Sequence, residues 1–395
     1  MKVAVLGGMG LMAEAALHDL AANKRVTEVV AVDLNLARAK SVLSRIPNRR
    51  KVKTLSVDVT DTAAAAKKLK GSDVLLNCAW YELNLKCMDL ALALKAHYVD
   101  LGGLFHMTQK QLKRHGEFQK AGLVATLGCG STPGITNLMV ARMSAGFDTI
   151  DTVGIYDASH DPSTSETSFL PPFSIRTMLD EYIAPAPILA NGKMVGVPAH
   201  SGQEPLEFKE PIGRVSAGTV IHSETATLPA YLKDKRIKNC FFKIVYPESV
   251  KRQLALLVGM GLSGDAPVQV NGHKVSPRRF VTALAQQAAV TASKAFAAPA
   301  DFEVLRVKIS GTKHGRRLEK SWDCEIRPNK QLSAGAIGVG FAGAIASVVL
   351  ALEQGLTRGG VGAPESTLPA EVFFKELRAR KSFSLIETIA HPLAI

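Results

Sequence analysis

Lys2-Val3-Ala4-Val5-Leu6-Gly7-Gly8-Met9-Gly10-Leu11-Met12-Ala13 opens the chain as an apolar run that ends in a glycine turn. An alanine-rich helical pattern follows, and a second apolar run, Val29-Val30-Ala31-Val32, ends on Asp33. Gly8, Gly10 and Ala13 therefore read as G-x-G-x-x-A between a strand and a helix, with an acid closing the second strand. That is the pattern of a dinucleotide-binding βαβ unit. Gly8 is expected to make the tight turn, because a residue without Cβ reaches backbone angles closed to others. Gly10 lets the main chain approach a pyrophosphate, and Ala13 keeps the helix close to the sheet. The helix N-terminus then offers free amides and a positive dipole end to the phosphates. Gly8, Met9, Gly10, Leu11 and Met12 are assigned to the cofactor on this basis. Asp33 is assigned to the hydroxyls of the adenosine ribose. A carboxylate there repels the extra phosphate of NADP, so NAD is the expected cofactor. NADP is the alternative, which Arg38 and Lys40 keep open.

Outward from this stretch, the first third alternates strand and helix. Strands are predicted at 2–6, 28–32, 52–57, 73–77, 97–100 and 123–127, and helices near 11–23, 35–46, 61–70, 83–95 and 108–121. Short apolar strands suit a parallel sheet covered on both faces. The fold class is α/β, a Rossmann-type doubly wound parallel sheet, with a second, α+β domain for substrate and dimerisation. Ligands bind at the carboxyl ends of such strands. Past residue 130 the pattern changes to strands separated by turns, at 152–156, 194–198, 243–245, 268–270 and 302–309, with a helix at 135–144. Asn191-Gly192 and Asn271-Gly272 read as hairpin turns. This part is expected to be an antiparallel sheet with added helices. The expected division is a dinucleotide-binding domain over 1–130 and a substrate domain over 131–334. Helices at 344–355 and 369–379, within 335–395, are expected to pack back on the first.

The chain has 395 residues and a formal charge of +13. Its basic residues are dispersed, without interleaved aromatics, which argues against nucleic-acid binding. The charge suits an anionic dinucleotide or a carboxylate substrate. Five cysteines at 78, 87, 129, 240 and 324 form no C-x-x-C and read as reduced core thiols in a cytoplasmic protein. No signal peptide precedes the first strand. The uncharged stretch 334–352 is long enough to span a membrane. It is rich in glycine and small residues, so a glycine-rich loop followed by a buried helix is preferred, and no membrane partner is expected. No metal-ligand spacing occurs among the ten histidines.

Four segments resemble the saccharopine dehydrogenase family, and within it the branch containing lysine 6-dehydrogenase. They are Gly8–Ala13, Tyr98-Val99-Asp100-Leu101-Gly102-Gly103, Gly128–Asn137, and Phe173–Tyr182 followed by Asn191-Gly192. Two departures stand out. Thr132 replaces an acid before Pro133-Gly134, and Tyr246-Pro247 runs into Glu248-Ser249 where relatives often carry Tyr-x-Gly-His. The resemblance implies NAD-dependent oxidation of an amino-acid or amine C–N bond, of the lysine 6-dehydrogenase kind, through an imine that water opens to a semialdehyde. The alternatives are an NADP-dependent reductive condensation, as in saccharopine or carboxynorspermidine formation, and a non-catalytic dinucleotide-binding protein. The partner implied is a small amine or amino acid, and a homodimer or larger homo-oligomer is expected.

Several residues follow from position. Asn77, Cys78 and Ala79 end the fourth strand, where the loop passes the nicotinamide ribose. Trp80 and Tyr81 would shield the hydride path, although packing explains Trp80 equally. Asp58 either faces the adenine or caps a turn. Asp100 and Gly102 end the fifth strand, and Asp100 is the first choice to meet the substrate amine and take its proton. A structural acid pinning the glycine loop is the competing reading. His106 and His222 are the candidate bases. Arg176 and Tyr182 either hold a substrate carboxylate or lie on a helix surface, and Thr132 sits where the substrate is read.

Overall fold

A computed structural model of the chain describes residues 1–162, 171, 173–295, 298–352 and 359–390. Six parallel strands build the first sheet: β1 (Lys2–Leu6), β2 (Glu28–Asp33), β3 (Val52–Ser56), β4 (Val74–Asn77), β5 (His97–Asp100) and β6 (Val124–Thr126). Their order is β6-β5-β4-β1-β2-β3, and Gly360–Gly362 adds a seventh strand beside β6. The central strands are buried throughout, which is why they read as unbroken apolar runs. Strand order reverses between β1 and β4, so the binding crevice opens at their carboxyl ends.

The helices match the alternation with two corrections. The helix expected at 35–46 begins only at Ala39, because Asp33 and Asn35 side chains accept from Asn35 and Ala37 amides and hold a turn first. The helix expected at 108–121 is two helices, Leu104–Leu112 and His115–Lys120.

The second sheet is mixed rather than antiparallel. Its path runs Glu204–Glu207, Arg214–Thr219, Asn239–Val245, Thr149–His160, Phe302–Lys313, Arg316–Ile326 and Phe383–Ala390. Asn239–Val245 lies parallel to Thr149–His160, and the other neighbours on the path are antiparallel. The long connection between those two strands lets the chain return in the same direction. Asn191-Gly192 and Asn271-Gly272 do form two-residue hairpin turns, with both residues of each pair at positive φ.

The stretch expected as a loop and a helix is one continuous helix, Ala334–Leu352. Residues 353–355 of the expected helix lie outside the described residues. Its length and apolarity would cross a membrane, yet most of it is buried inside the protein. It packs against α1 (Leu11–Ala22), and Gly340 serves that approach, while Gly338 and Gly343 admit other neighbours. A Cβ on Gly340 would stand 2.4 Å from the Met12 carbonyl oxygen and 2.6 Å from the Ala15 Cβ. Glycine content marked close helix packing here, not a loop.

Candidate active site

The glycine turn after β1 forms one wall of the crevice. Gly7, not Gly8, takes the left-handed conformation, with φ of +69°, and its absent Cβ would stand 2.9 Å from the Ala79 Cα. Gly8 is needed for a different reason: its Cβ would press against Ala31 and Val32 of β2 at 3.0 Å. The two β-ends thus touch backbone to backbone. Three amides of the turn are already engaged. Gly8 N donates to the Val32 carbonyl, Met9 N to Asp33 Oδ2 and Gly10 N to the Gly7 carbonyl. The donors left for a phosphate are the first-turn amides of α1, at Leu11, Met12 and Ala13, above an N-cap without any side-chain cap. This open, uncapped terminus fits a dinucleotide pyrophosphate.

Asp33 stands at the ribose end of that cradle. Its oxygens accept from Met9 N at 3.0 Å and Asn35 N at 3.1 Å. Arg38 lies beside it, donating to the Met9 carbonyl at 2.5 Å and pairing with buried Glu14, which Arg45 also holds. Acid and guanidinium therefore share the place where the adenosine ribose would sit. Asp58 is exposed and accepts from the amide and hydroxyl of Thr60, a turn role that holds its carboxyl below the usual range.

After β4, Asn77 is buried and accepts from Ala79 N, shaping the Asn77–Ala79 loop. Burial pushes the Cys78 thiol well above its ordinary value, so it is inert packing. Asp100 is 1% exposed. Its oxygens accept from Gly102 N, Gly128 N, Gln111 Nε2 and Asn84 Nδ2, at 2.6–3.3 Å. It ties together the loops after β5 and β6. Burial raises its pKa, and hydrogen bonds from Gln111, Gly128, Tyr98 and Gly102 oppose that rise. The geometry is that of the pinning acid, and the amine-facing role expected for Asp100 has no free oxygen to serve it.

The Gly102 loop leads to the second half of the site. A Cβ there would stand 3.2 Å from Pro133 and 3.9 Å from Ser223 Oγ. Next to Ser223 lies His222, 8% exposed. Its ring stacks on Phe242 at 3.8 Å, and its Nδ1 pairs with buried Glu224. Glu224 also accepts from Thr136 Oγ1 at 3.1 Å. Two more carboxyls, buried Glu181 and half-buried Asp157, lie near this pair, and buried Glu303 lies beside Asp157. Asp157, on strand Thr149–His160, accepts from Thr132 Oγ1 at 3.4 Å. Glu181 accepts from Tyr246 OH at 2.7 Å. Glu303 is held by Ser131, and its Oε2 has no partner.

Burial pushes Asp157 to about 6 and Glu181 to about 7, and raises Glu303 well above the usual carboxyl range. For His222 burial works downward, but Glu224, Glu181 and Asp157 outweigh it, so its pKa rises. No Lys or Arg among the described residues pairs with these four acids. All of these shifts favour the protonated form in the folded protein. Their stabilisation is complete below the unfolded-state pKa values and is lost as pH rises through the folded ones. Ligand-free protein is therefore expected to lose thermal stability between about pH 5 and about pH 8. A bound cation is expected to flatten that slope. Scanning calorimetry across that range checks this; a Tm that climbs with pH would refute it.

The remaining expected residues fall in three places. His106 is exposed on helix Leu104–Leu112, in edge contact with Phe105. Tyr81 OH donates to Asp180 Oδ2 at 2.8 Å, and burial raises its pKa. Tyr182 packs its ring against His200, 4.9 Å away, rather than reaching outward as an anion donor. Arg176 lies over Trp80, with Cζ 3.5 Å from the ring centroid. Sequence reading missed Asp157, Glu181 and Glu303. The signal was present for two of them: an acid at an inward position of an apolar strand, as in Gly154-Ile155-Tyr156-Asp157-Ala158 and Phe302-Glu303-Val304-Leu305.

Comparison with known proteins agrees with this geometry. The family model described as the saccharopine dehydrogenase NADP binding domain matches residues 3–126, and that of the saccharopine dehydrogenase C-terminal domain matches residues 130–382. The chain belongs to the saccharopine dehydrogenase family. Within that family it is 25% identical over 295 residues to carboxyaminopropylagmatine dehydrogenase of Synechocystis sp., covering 72% of each chain. It is 22% identical over 301 residues to carboxynorspermidine synthase of Vibrio cholerae, covering 70% of each. Among solved structures, apo saccharopine dehydrogenase (L-Glu forming) from Saccharomyces cerevisiae superposes with a TM-score of 0.72 at 16% identity, over 99% of this chain and 100% of that one. As a saccharopine dehydrogenase family member, the protein is an NAD(P)-dependent oxidoreductase acting on amine or amino-acid donors.

Proposed function

We propose that this protein joins the primary amine of a small cationic diamine to a carbonyl compound by NAD(P)H-linked reductive condensation, and cleaves the same C–N bond in reverse. One observation carries the reading: the His222 imidazole stands among Glu224, Glu181 and half-buried Asp157, Glu303 stands beside Asp157, and no Lys or Arg among the described residues pairs with these carboxyls. Buried carboxylates without a counter-charge are costly. An alkylammonium ligand supplies the missing charge, and the partnerless Oε2 of Glu303 is an acceptor for it. The amine names of the Synechocystis and Vibrio relatives support the same substrate class.

In this reading Asp157, Glu181 and Glu303 bind and orient the cation. With one ammonium held, the diamine's other nitrogen releases its proton to solvent and adds to the carbonyl, and water leaves as the imine forms. His222, oriented through Nδ1 by Glu224, gives the proton that dehydration requires and takes one in reverse. Bound nicotinamide supplies or accepts the hydride at the imine carbon. Asp100 fixes the Gly102 loop that separates His222 from the cofactor crevice. Asp33 favours NAD, while Arg38 beside it and the NADP description of the matching domain favour NADP.

The test is a matrix of diamines and amino acids against small aldehydes and 2-oxo acids, with NADH and NADPH in separate arms. Expected is cofactor oxidation that requires both an amine and a carbonyl. If lysine with NAD alone produced NADH, and no pair consumed it, oxidative deamination of the lysine 6-dehydrogenase kind would replace this reading. The acid cluster suits that ε-ammonium as well.

A further inference from the structure

We propose that His200, seated beside Tyr182 and Tyr246, receives the non-reacting end of the amine substrate: its Nε2 accepts an N–H of the held ammonium and so sets the length of diamine that the site takes. The inference rests on the condensation reading and adds a specificity-determining residue to it.

His200 lies in the loop between strands Lys193–Val197 and Glu204–Glu207. Its main chain is gripped at both polar groups. The amide donates to the Thr219 carbonyl at 2.7 Å, and the carbonyl accepts from Gln203 Nε2 at 2.7 Å. Gly218 makes room for the loop, since a Cβ there would stand 3.1 Å from the His200 Cα. The strand that holds it, Arg214–Thr219, runs on through Val220 and Ile221 to His222. The loop is thus pinned to the stretch of chain that carries the acid–base group. The grip keeps His200 at φ +57°, a left-handed conformation that is unfavourable for a residue with a Cβ. An imidazole stands where glycine would sit without strain.

The ring is unfinished as a hydrogen-bonding group. Nε2 is buried and has no partner among the described residues. Burial lowers the pKa of the ring, and the charge of Lys251, itself paired with Glu248, lowers it further. A neutral imidazole keeps a lone pair on one nitrogen, and a buried acceptor left unpaired is costly. The surroundings suit a cationic donor. The Tyr182 and Tyr246 rings stand 4.9 Å and 5.8 Å from the imidazole, centroid to centroid, and aromatic faces attract ammonium.

Glu181 joins this seat to the rest of the site. It precedes Tyr182 on helix Ile175–Ile183, and its Oε2 accepts from Tyr246 OH at 2.7 Å. It also raises the pKa of His222, so it stands within electrostatic reach of the acid–base group. An alkylammonium has three N–H donors, enough for a carboxylate and for Nε2 together. With the reacting nitrogen at His222, the second nitrogen reaches His200 only at one spacing. A shorter diamine leaves Nε2 unpaired, and a monoamine offers it nothing.

Calorimetric titration of the NAD(P)H-bound protein tests this. The probes are unbranched α,ω-diamines of three to six carbons, the monoamine in which a methyl group replaces one ammonium of the tightest diamine, and the amino acid in which a carboxylate does. Expected is one preferred length, bound about 10- to 100-fold more tightly than its monoamine, with the carboxylate probe weaker than the diamine. His200→Asn tolerates the left-handed backbone but places its amide near Nδ1, short of Nε2. It is expected to erase the preference for diamine over monoamine and leave the monoamine Kd unchanged. His200→Gln, whose amide reaches the place of Nε2, is expected to restore part of it. Because both probes are measured on the same variant, a general loss of folded protein cannot imitate a change in their ratio. Wild-type discrimination in His200→Asn, no diamine binding, or a carboxylate probe that binds more tightly than the diamine would overturn the inference. His200-dependent diamine binding alongside a silent turnover matrix would reject the condensation reading and leave the ammonium seat standing. Turnover of a diamine whose binding ignores His200 would do the reverse.

Discussion

Replacing His222 by Asn is expected to lower kcat about 10²- to 10⁴-fold, the range over which a positioned acid–base group acts. The reason lies in three contacts. Glu224 holds Nδ1 and fixes the ring's orientation, Phe242 stacks beneath it, and Ser223 places it next to the Gly102 loop. Nε2 is the nitrogen left to meet a substrate. The surrounding acids raise its pKa, which favours the protonated ring that the dehydration step uses. Asn keeps approximate size and polarity but moves no proton. NAD(P)H affinity is expected to stay at the wild-type level, because α1 and Asp33 are untouched. Glu224→Gln should cost less and shift the alkaline limb of the condensation pH profile downward, since one raising charge is gone. Steady-state kinetics with cofactor binding measured separately checks this. A His222→Asn enzyme with wild-type kcat would remove the histidine from the mechanism.

Gly340→Ala is expected to destabilise the fold by about 3 kcal/mol, at the upper end of what overpacking costs. The added carbon would stand 2.4 Å from the Met12 carbonyl oxygen and 2.7 Å from Ala16 N. Backbone atoms of a buried helix cannot yield as a side chain can, so α1 must move. The same shift displaces the Leu11–Ala13 amides and should weaken NAD(P)H binding about tenfold, taking the change as roughly one charge-assisted hydrogen bond. Gly116→Ala is the control. Gly116 is an exposed helical glycine with nothing within 4 Å of its added Cβ, and alanine there is expected to stabilise by up to about 1 kcal/mol. Thermal melts of both variants, with and without cofactor, decide the matter. Equal Tm values would show that the two helices tolerate separation.

The parallel sheet was legible because its strands obey a local rule: short apolar runs, each closed by a polar residue, alternating with helical periodicity. Where side chains compete with the backbone for hydrogen bonds, boundaries slipped, as at Asp33 and Asn35 before the delayed helix. The mixed sheet was less legible, since nothing in Asn239–Val245 tells a reader which way it lies against Thr149–His160. The cofactor end of the site followed from adjacency in sequence. The substrate end did not, because Asp157, Glu181, His222 and Glu303 arrive from four separate elements and meet only in the folded chain. Asp100 shows the opposite failure. Its position beside Gly102 was right, but Oδ1 is spent on two loop amides and Oδ2 on the Gln111 and Asn84 side chains, contacts that no pattern predicts.

The rear of α1 is completed by a helix from the far end of the polypeptide. A ribosome delivers the nucleotide-binding part first, with that surface bare, and must pass residue 352 before the cover arrives. Chaperone occupancy of the nascent N-terminal half should persist until then. Clipping the chain ahead of residue 334, which removes that cover together with the strand Gly360–Gly362, is expected to abolish coenzyme retention.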